Sequence, residues 1–205
     1  GYNAHTSIEK VGAGDWTLNG KNIYDGTTDI TGGRLIVNGS IGSTAKMTVD
    51  DNGTLAGHGT IASPVTATGT IEATVSGSAE APAIDALTFS NTLAVNGATL
   101  SIVLDSLQGT LTAGQELKVM TLSSPVTGTG FTSIEPLQPA PGLYWDATRL
   151  NSEGIITVTA TATGISDSSA DSNGKDNPVY DLQGRRMKTP VRGVYIRNGS
   201  KYIKK

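Results

Sequence analysis

Short apolar segments, each entered through a glycine turn, recur between residues 30 and 104. They are Ile30–Ile41 (ITGGRLIVNGSI), Val49–Ile61 (VDDNGTLAGHGTI), Val65–Val75 (VTATGTIEATV) and Leu93–Leu104 (LAVNGATLSIVL). The turn glycines are Gly33, Gly53, Gly69 and Gly97, spaced 20, 16 and 28 residues apart. Such a period is too short for a pair of packed helices and suits one rung of a coil. A strand shows one face to a core at every second residue, and Leu35/Val37, Leu93/Val95 and Leu100/Ile102/Leu104 keep that period. Helical spacing of apolar residues is almost absent, because Gly and Thr interrupt nearly every window. The pattern predicts an all-β chain whose rungs bury inward side chains on their neighbours and leave Thr-rich positions in water. The spacing of 28 predicts a loop insertion over Ser76–Ala86, a stretch that contains Pro82.

Composition agrees with this. The 205 residues include 26 Gly, 28 Thr and 18 Ser, with 5% aromatic and 16% charged residues. Small residues suit tightly stacked turns, and Asn-Gly pairs at 19–20, 38–39, 52–53, 96–97 and 198–199 mark where the chain reverses. Cys is absent and His occurs twice, which excludes a disulfide framework, a thiolate zinc site and a cysteine nucleophile. No apolar run approaches the ~18 residues of a membrane-spanning helix. The chain opens at Gly1 without Met, which reads as a piece of a longer protein.

Beside these rungs stands a family resemblance. The run from Trp16 to Thr28 (WTLNGKNIYDGTT), then Gly33–Ile41 (GRLIVNGSI) and Gly53–Ile61 (GTLAGHGTI), resembles the passenger-associated repeat of bacterial autotransporters across about 46 residues. The resemblance implies a right-handed parallel β-helix on an exported or cell-surface, outer-membrane-associated protein. It implies no enzyme. With it, residues 1–104 are expected to form β-helix rungs. Residues 105–162 are expected to form an antiparallel β cap, carried by the segments Gly114–Leu122, Val126–Phe131, Gly142–Asp146 and Gly154–Val158. A cap is physically required, since an open terminal rung exposes strand edges and core.

Residues 163–178, rich in Ser, Asp, Asn and Gly, read as a linker. Residues 179–205 read as a small basic β module. Residues 175–205 carry nine Lys/Arg against two Asp/Glu, whereas residues 1–174 carry six against sixteen. Its cations alternate with strand formers, and an acidic body would repel phosphate, so a nucleic-acid partner is not expected. The segments Val179–Met187 (VYDLQGRRM) and Gly193–Lys205 (GVYIRNGSKYIKK) resemble the C-terminal modules of secreted Bacteroidetes proteins and the second half of type IX sorting domains. That resemblance implies a contact with secretion machinery through Tyr180, Asp181, Leu182, Gly184, Arg185, Arg186, Gly193 and Tyr195.

Candidate chemistry is sparse. His58 lies between two glycines with only His5 as a second imidazole, and reads as a solvated turn residue. Asp50-Asp51-Asn52-Gly53 offers oxygen donors for calcium, but adjacent residues of an extended chain point to opposite sides, and Asn-Gly explains itself as a turn. No rung carries the two opposed carboxylates that glycoside hydrolysis needs, so no catalytic residue, metal or cofactor is assigned. A polysaccharide or host glycan is the one ligand class with candidates: Trp16, Tyr24, Tyr144 and Trp145 as stacking platforms. The same aromatics serve equally to staple a core otherwise made of small residues. The sequence therefore points to a non-catalytic stalk, cap and sorting region. An adhesin or glycan-binding module, or the non-catalytic end of a polysaccharide-degrading enzyme, is the alternative.

Overall fold

A computed structural model describes residues 5–42, 45–161, 179–180, 186–187, 193–197 and 200–204. The chain divides into two compact units, Gly1–Gly164 and Ile165–Lys205.

The first unit winds as a coil of three-strand rungs. The first holds β1 (Ile8–Lys10), β2 (Asp15–Leu18) and β3 (Lys21–Asn22); the second holds β4 (Thr28–Ile30), β5 (Gly33–Val37) and β6 (Ser40–Ile41). The third holds β7 (Met47–Val49), β8 (Gly53–Ala56) and β9 (Thr60–Ile61). The fourth holds β10 (Val65–Ala67), β11 (Thr70–Ser78), β12 (Ala81–Asp85) and β13 (Thr88–Phe89). The fifth holds β14 (Leu93–Asn96), β15 (Thr99–Gln108), β16 (Glu116–Lys118) and β17 (Thr121–Leu122), and a partial sixth holds β18 (Thr127–Gly130) and β19 (Ser133–Glu135). Equivalent strands hydrogen-bond in parallel into three sheets: β1-β4-β7-β10-β14-β18, β2-β5-β8-β11-β15-β19 and β3-β6-β9-β13-β17. This is a parallel β-helix, as the repeat pattern predicts.

Register explains why short side chains suffice. In the second sheet Leu35, Leu55, Ile71, Leu100 and Ile134 lie one above another, and in the third Ile41, Ile61, Phe89 and Leu122 do. In the first sheet Ile30, Val49, Ala67 and Val95 form a column with no solvent exposure. Rungs ~4.8 Å apart let each apolar side chain cover the next. The positions between face outward and carry hydroxyls, as in Thr54, Thr70, Thr99 and Ser133.

Two turn glycines are demanded by the stacking. A Cβ on Gly53 would overlap the Ile30 carbonyl, and one on Gly69 would overlap the Asp50 carbonyl. Gly97 differs from the expected repeat. Thr70 pairs with Thr99, so Ala98 takes the place in register with Gly69, and Gly97 instead supplies a turn at φ +84°.

Two other expectations are revised. The stretch Ser76–Ala86 is a hairpin, in which β12 folds back antiparallel on the long β11. Its Pro82, opposite Gly77, sits on an edge strand, the place in a sheet where proline is tolerated. The parallel coil also runs past residue 104, since β17, β18 and β19 still pair in parallel with the rung before them. Only β16, β20 (Tyr144–Asp146) and β21 (Ile155–Thr159) form the antiparallel sheet, in the order β16-β21-β20. Between β20 and β21 lies α1 (Leu150–Glu153), a single turn that no helical periodicity announces. It ends at Gly154, whose left-handed conformation (φ 71°) directs its carbonyl to the amides of Val119 and Met120.

The second unit, described by its backbone, is a four-stranded antiparallel sheet in the order β23-β22-β24-β25: β22 (Val179–Tyr180), β23 (Arg186–Met187), β24 (Gly193–Arg197) and β25 (Ser200–Lys204).

Candidate functional site

The first rung differs from every rung above it. β1, β2 and β3 each stand at one end of their sheet, as β18, β19 and β17 stand at the other, and among the described residues no strand pairs with their outer edges. Trp16 pairs in register with Leu35 and so occupies the head of the inward Leu35–Leu55–Ile71 column. Among the described residues no strand stacks before it; Trp16 is 41% exposed, Val11 62% and Ile23 78%. Among the described residues, the other large hydrophobic side chain this exposed is Leu137.

Polar groups surround this apolar end. Lys10 falls in register with Ile30, at an inward position where the later rungs carry Ile, Val or Ala. It is only 5% exposed, and its Nζ donates to the carbonyls of Val11 (3.0 Å), Gly12 (2.8 Å) and Gly32 (2.9 Å). A buried ammonium needs such partners to offset its lost hydration. Asn22, heading the third sheet's inward column, donates from Nδ2 to the carbonyls of Gly20 and Ser40. A shallow recess of about 320 Å³ is lined by Glu9, Lys10, Val11, Gly12, Gly14, Asp15 and Trp16. It brings together the Trp16 indole, the carboxylates of Glu9 and Asp15, the Val11 and Lys10 side chains and glycine backbone.

On the outer face of the second sheet, Arg34 links three rungs. Its Nη1 donates to Asp15 Oδ2 (3.1 Å), its Nε donates to both Glu72 oxygens (3.1 and 3.2 Å), and its Nη2 also meets Glu72. Glu72 is 8% exposed, so this pair is partly desolvated. The hydrogen bond to Glu72, ahead of all other influences, raises the Arg34 pKa above its ordinary value. Sequence reading missed this trio, because Arg34 and Glu72 are 38 residues apart and only rung register brings them together.

The four aromatic candidates do not converge. Tyr24 lies between the first and second rungs, with its hydroxyl 2.6 Å from Thr28 Oγ1. Burial, partly offset by that bond, raises its pKa. Tyr144 and Trp145 belong to β20 of the antiparallel sheet, a different sheet from that of Trp16 in β2. Tyr144 is half-buried, whereas Trp145 is 8% exposed, lies in the core, and donates its Nε1–H to the Pro136 carbonyl (2.8 Å). Trp16 is thus the aromatic with substantial exposure beside polar groups. His58 is exposed in its turn, and among the described residues no group of three or more His, Cys, Asp or Glu side chains is placed to hold a metal ion.

Of the sorting-module residues, Tyr180 lies in β22, Arg186 in β23, and Gly193 and Tyr195 in β24. Tyr180 pairs with Arg186 and Ile196, and Tyr195 with Tyr202. Asp181, Leu182, Gly184 and Arg185, with the turn at Asn198-Gly199, lie outside the described residues. Among the described residues no helix is long and apolar enough to cross a membrane.

No curated protein matches the chain. Residues 8–37 match the passenger-associated-transport-repeat family. That span covers the first rung and the second as far as Val37, so the segment around Trp16 is similar to a repeat of exported passenger proteins.

Proposed function

We propose that this chain is the non-catalytic stalk-and-cap region of a larger exported, cell-surface bacterial protein of the passenger type. One observation carries the reading: a passenger-like repeat opens a coil that an antiparallel sheet closes at its far end. Stacked rungs of small residues make a stiff, extended body that needs no disulfide or metal. An antiparallel sheet over the last rungs covers apolar columns and leaves fewer strand edges open to aggregation.

The basic C-terminal unit serves, in this reading, as the address that routes the protein through secretion machinery. The test is deletion of residues 179–205 in the native host, followed by a count of protein outside the cell. Retention inside the cell is expected, and normal export of the shortened chain contradicts the routing role.

A second reading draws on the recess beside Trp16, where an indole stands next to the carboxylates of Glu9 and Asp15. Sugar rings stack on such indoles while carboxylates accept their hydroxyl protons. A glycan array probed with the native chain and with Trp16→Ala decides it. A signal lost in the variant supports a saccharide site, and a blank array removes it.

A further inference from the structure

We infer that one face of the C-terminal sheet, the face shared by Tyr195, Arg197, Tyr202 and Lys204, is the surface that export machinery reads, and that it docks on an acidic protein surface. The inference rests on the routing role proposed for this unit and names the contact that carries it.

Backbone register divides this unit between two faces, because paired residues of an antiparallel ladder share a face and neighbours along a strand alternate. Tyr195, Tyr202, Arg197 and Lys204 fall on one face, with Val179 and Ser200 in register with Arg197. Tyr180, Val194, Ile196 and Ile203 fall on the other, with Arg186 and Lys201. Of the residues that the sorting-domain resemblance singles out, Gly193 and Tyr195 therefore lie on the first face, and Tyr180 and Arg186 on the second. No reading of the linear motif separates them in this way.

The second face has the composition of one that folding buries. Val194 pairs with Ile203 and Ile196 with Tyr180, a run of strand formers across β22, β24 and β25, and its cations Arg186 and Lys201 both lie on edge strands. The first face does not. Arg197 lies on it in β24, an interior strand, with Val179 and Ser200 in register on its two sides. A guanidinium keeps its charge at any ordinary pH and is seldom placed in the middle of a core. Next along the same face stands the Tyr195–Tyr202 pair, and Tyr and Arg are the residues that most often anchor protein–protein contacts. Along β24, Arg197 lies four residues from Gly193, the partner of Lys204, which is roughly 13 Å of strand. That span is too wide for one phosphate or carboxylate to hold both cations. It suits acids spread over a protein surface around an aromatic centre. Charge agrees: residues 175–205 carry nine Lys/Arg against two Asp/Glu, which steers an acidic partner toward the unit.

The test is export from the native host, with protein outside the cell measured for substitutions in the full chain. Lys204 and Lys201 form a matched pair: one residue type, one strand (β25), opposite faces. Lys204→Glu and Arg197→Glu are each expected to lower external protein by about tenfold or more, while Lys201→Glu, an identical change of charge, stays within about twofold of native. Tyr195→Ala with Tyr202→Ala lowers it as well. Equal losses from Lys201→Glu and Lys204→Glu overturn the inference, since net charge and no particular face is then read. Normal export of Lys204→Glu and Arg197→Glu overturns it too. Either result leaves the routing role standing as long as the chain without residues 179–205 stays inside the cell; export of that shortened chain removes the routing role itself. Thermolysin digestion of the purified chains controls for folding. Faster cleavage of the C-terminal unit in Lys204→Glu and Arg197→Glu than in the native chain assigns the loss to an unfolded sheet and overturns the inference. Capture of the native chain on polygalacturonate, abolished by Tyr195→Ala with Tyr202→Ala, overturns it in favour of an anionic polysaccharide.

Discussion

At the scale of single residues, the molecule is governed by what lies one rung away. Leu55 is fully buried between Leu35 and Ile71. Leu55→Ala removes contacts to both neighbours and is expected to cost about 2–5 kcal/mol, depending on how far the rungs close over the cavity. Urea unfolding checks this, and a loss well under 1 kcal/mol contradicts the column. Arg34 is the polar counterpart. Arg34→Ala leaves the Glu72 carboxylate nearly buried without its partner, an expected loss of roughly 1–3 kcal/mol. Glu72→Gln in that background should recover part of it, and the double-mutant comparison shows whether the two groups act as a pair. The alternation that places Leu35, Leu55 and Ile71 inward is written in the sequence. The Arg34–Glu72 contact is not, because its two residues share a face only once the lengths of the intervening turns are known.

At the scale of elements, the cap shows where local pattern stops being informative. Segments over 114–158 read as one antiparallel set, yet β17, β18 and β19 join the coil and only β16, β20 and β21 form the separate sheet. Two-residue strands such as β17 carry no period of their own, so the neighbour they pair with is chosen by the rung beneath. The turn α1 is likewise set by context. Leu150 is buried, Gly154 closes the turn onto Val119 and Met120, and Arg149 reaches Glu153 and Glu116 from its outer side. Hydrogen bonding from Arg149 is the main influence that pulls the Glu153 pKa below its ordinary 4.5. A carboxyl depressed in the folded state stabilises fully above its unfolded value, and that contribution is lost as pH falls through the folded one. The contact should therefore persist down to pH 4.5 and fade below it. A carboxyl-detected titration should place the Glu153 midpoint under 4.5 and return it upward in Arg149→Gln. A midpoint at or above 4.5 in the native protein contradicts the contact.

For the whole molecule, the decisive property is that residues distant in sequence follow one another in rung order along a parallel ladder. Repeating glycine turns and alternating apolar residues make the coil legible before any coordinates are known. The irregular spacings hide the hairpin β11–β12 and the point where the coil ends. The absence of Cys makes site-specific labelling straightforward. Nitroxide pairs at positions 54/70, 54/99 and 54/133, all on the outward column of the second sheet, measure the ladder directly. Separations that rise in that order, by about 4.8 Å of backbone spacing per rung, are the expected result. A pair out of order, or positions 54 and 133 closer than 54 and 70, would show that the strands are not stacked in parallel and would contradict the β-helix.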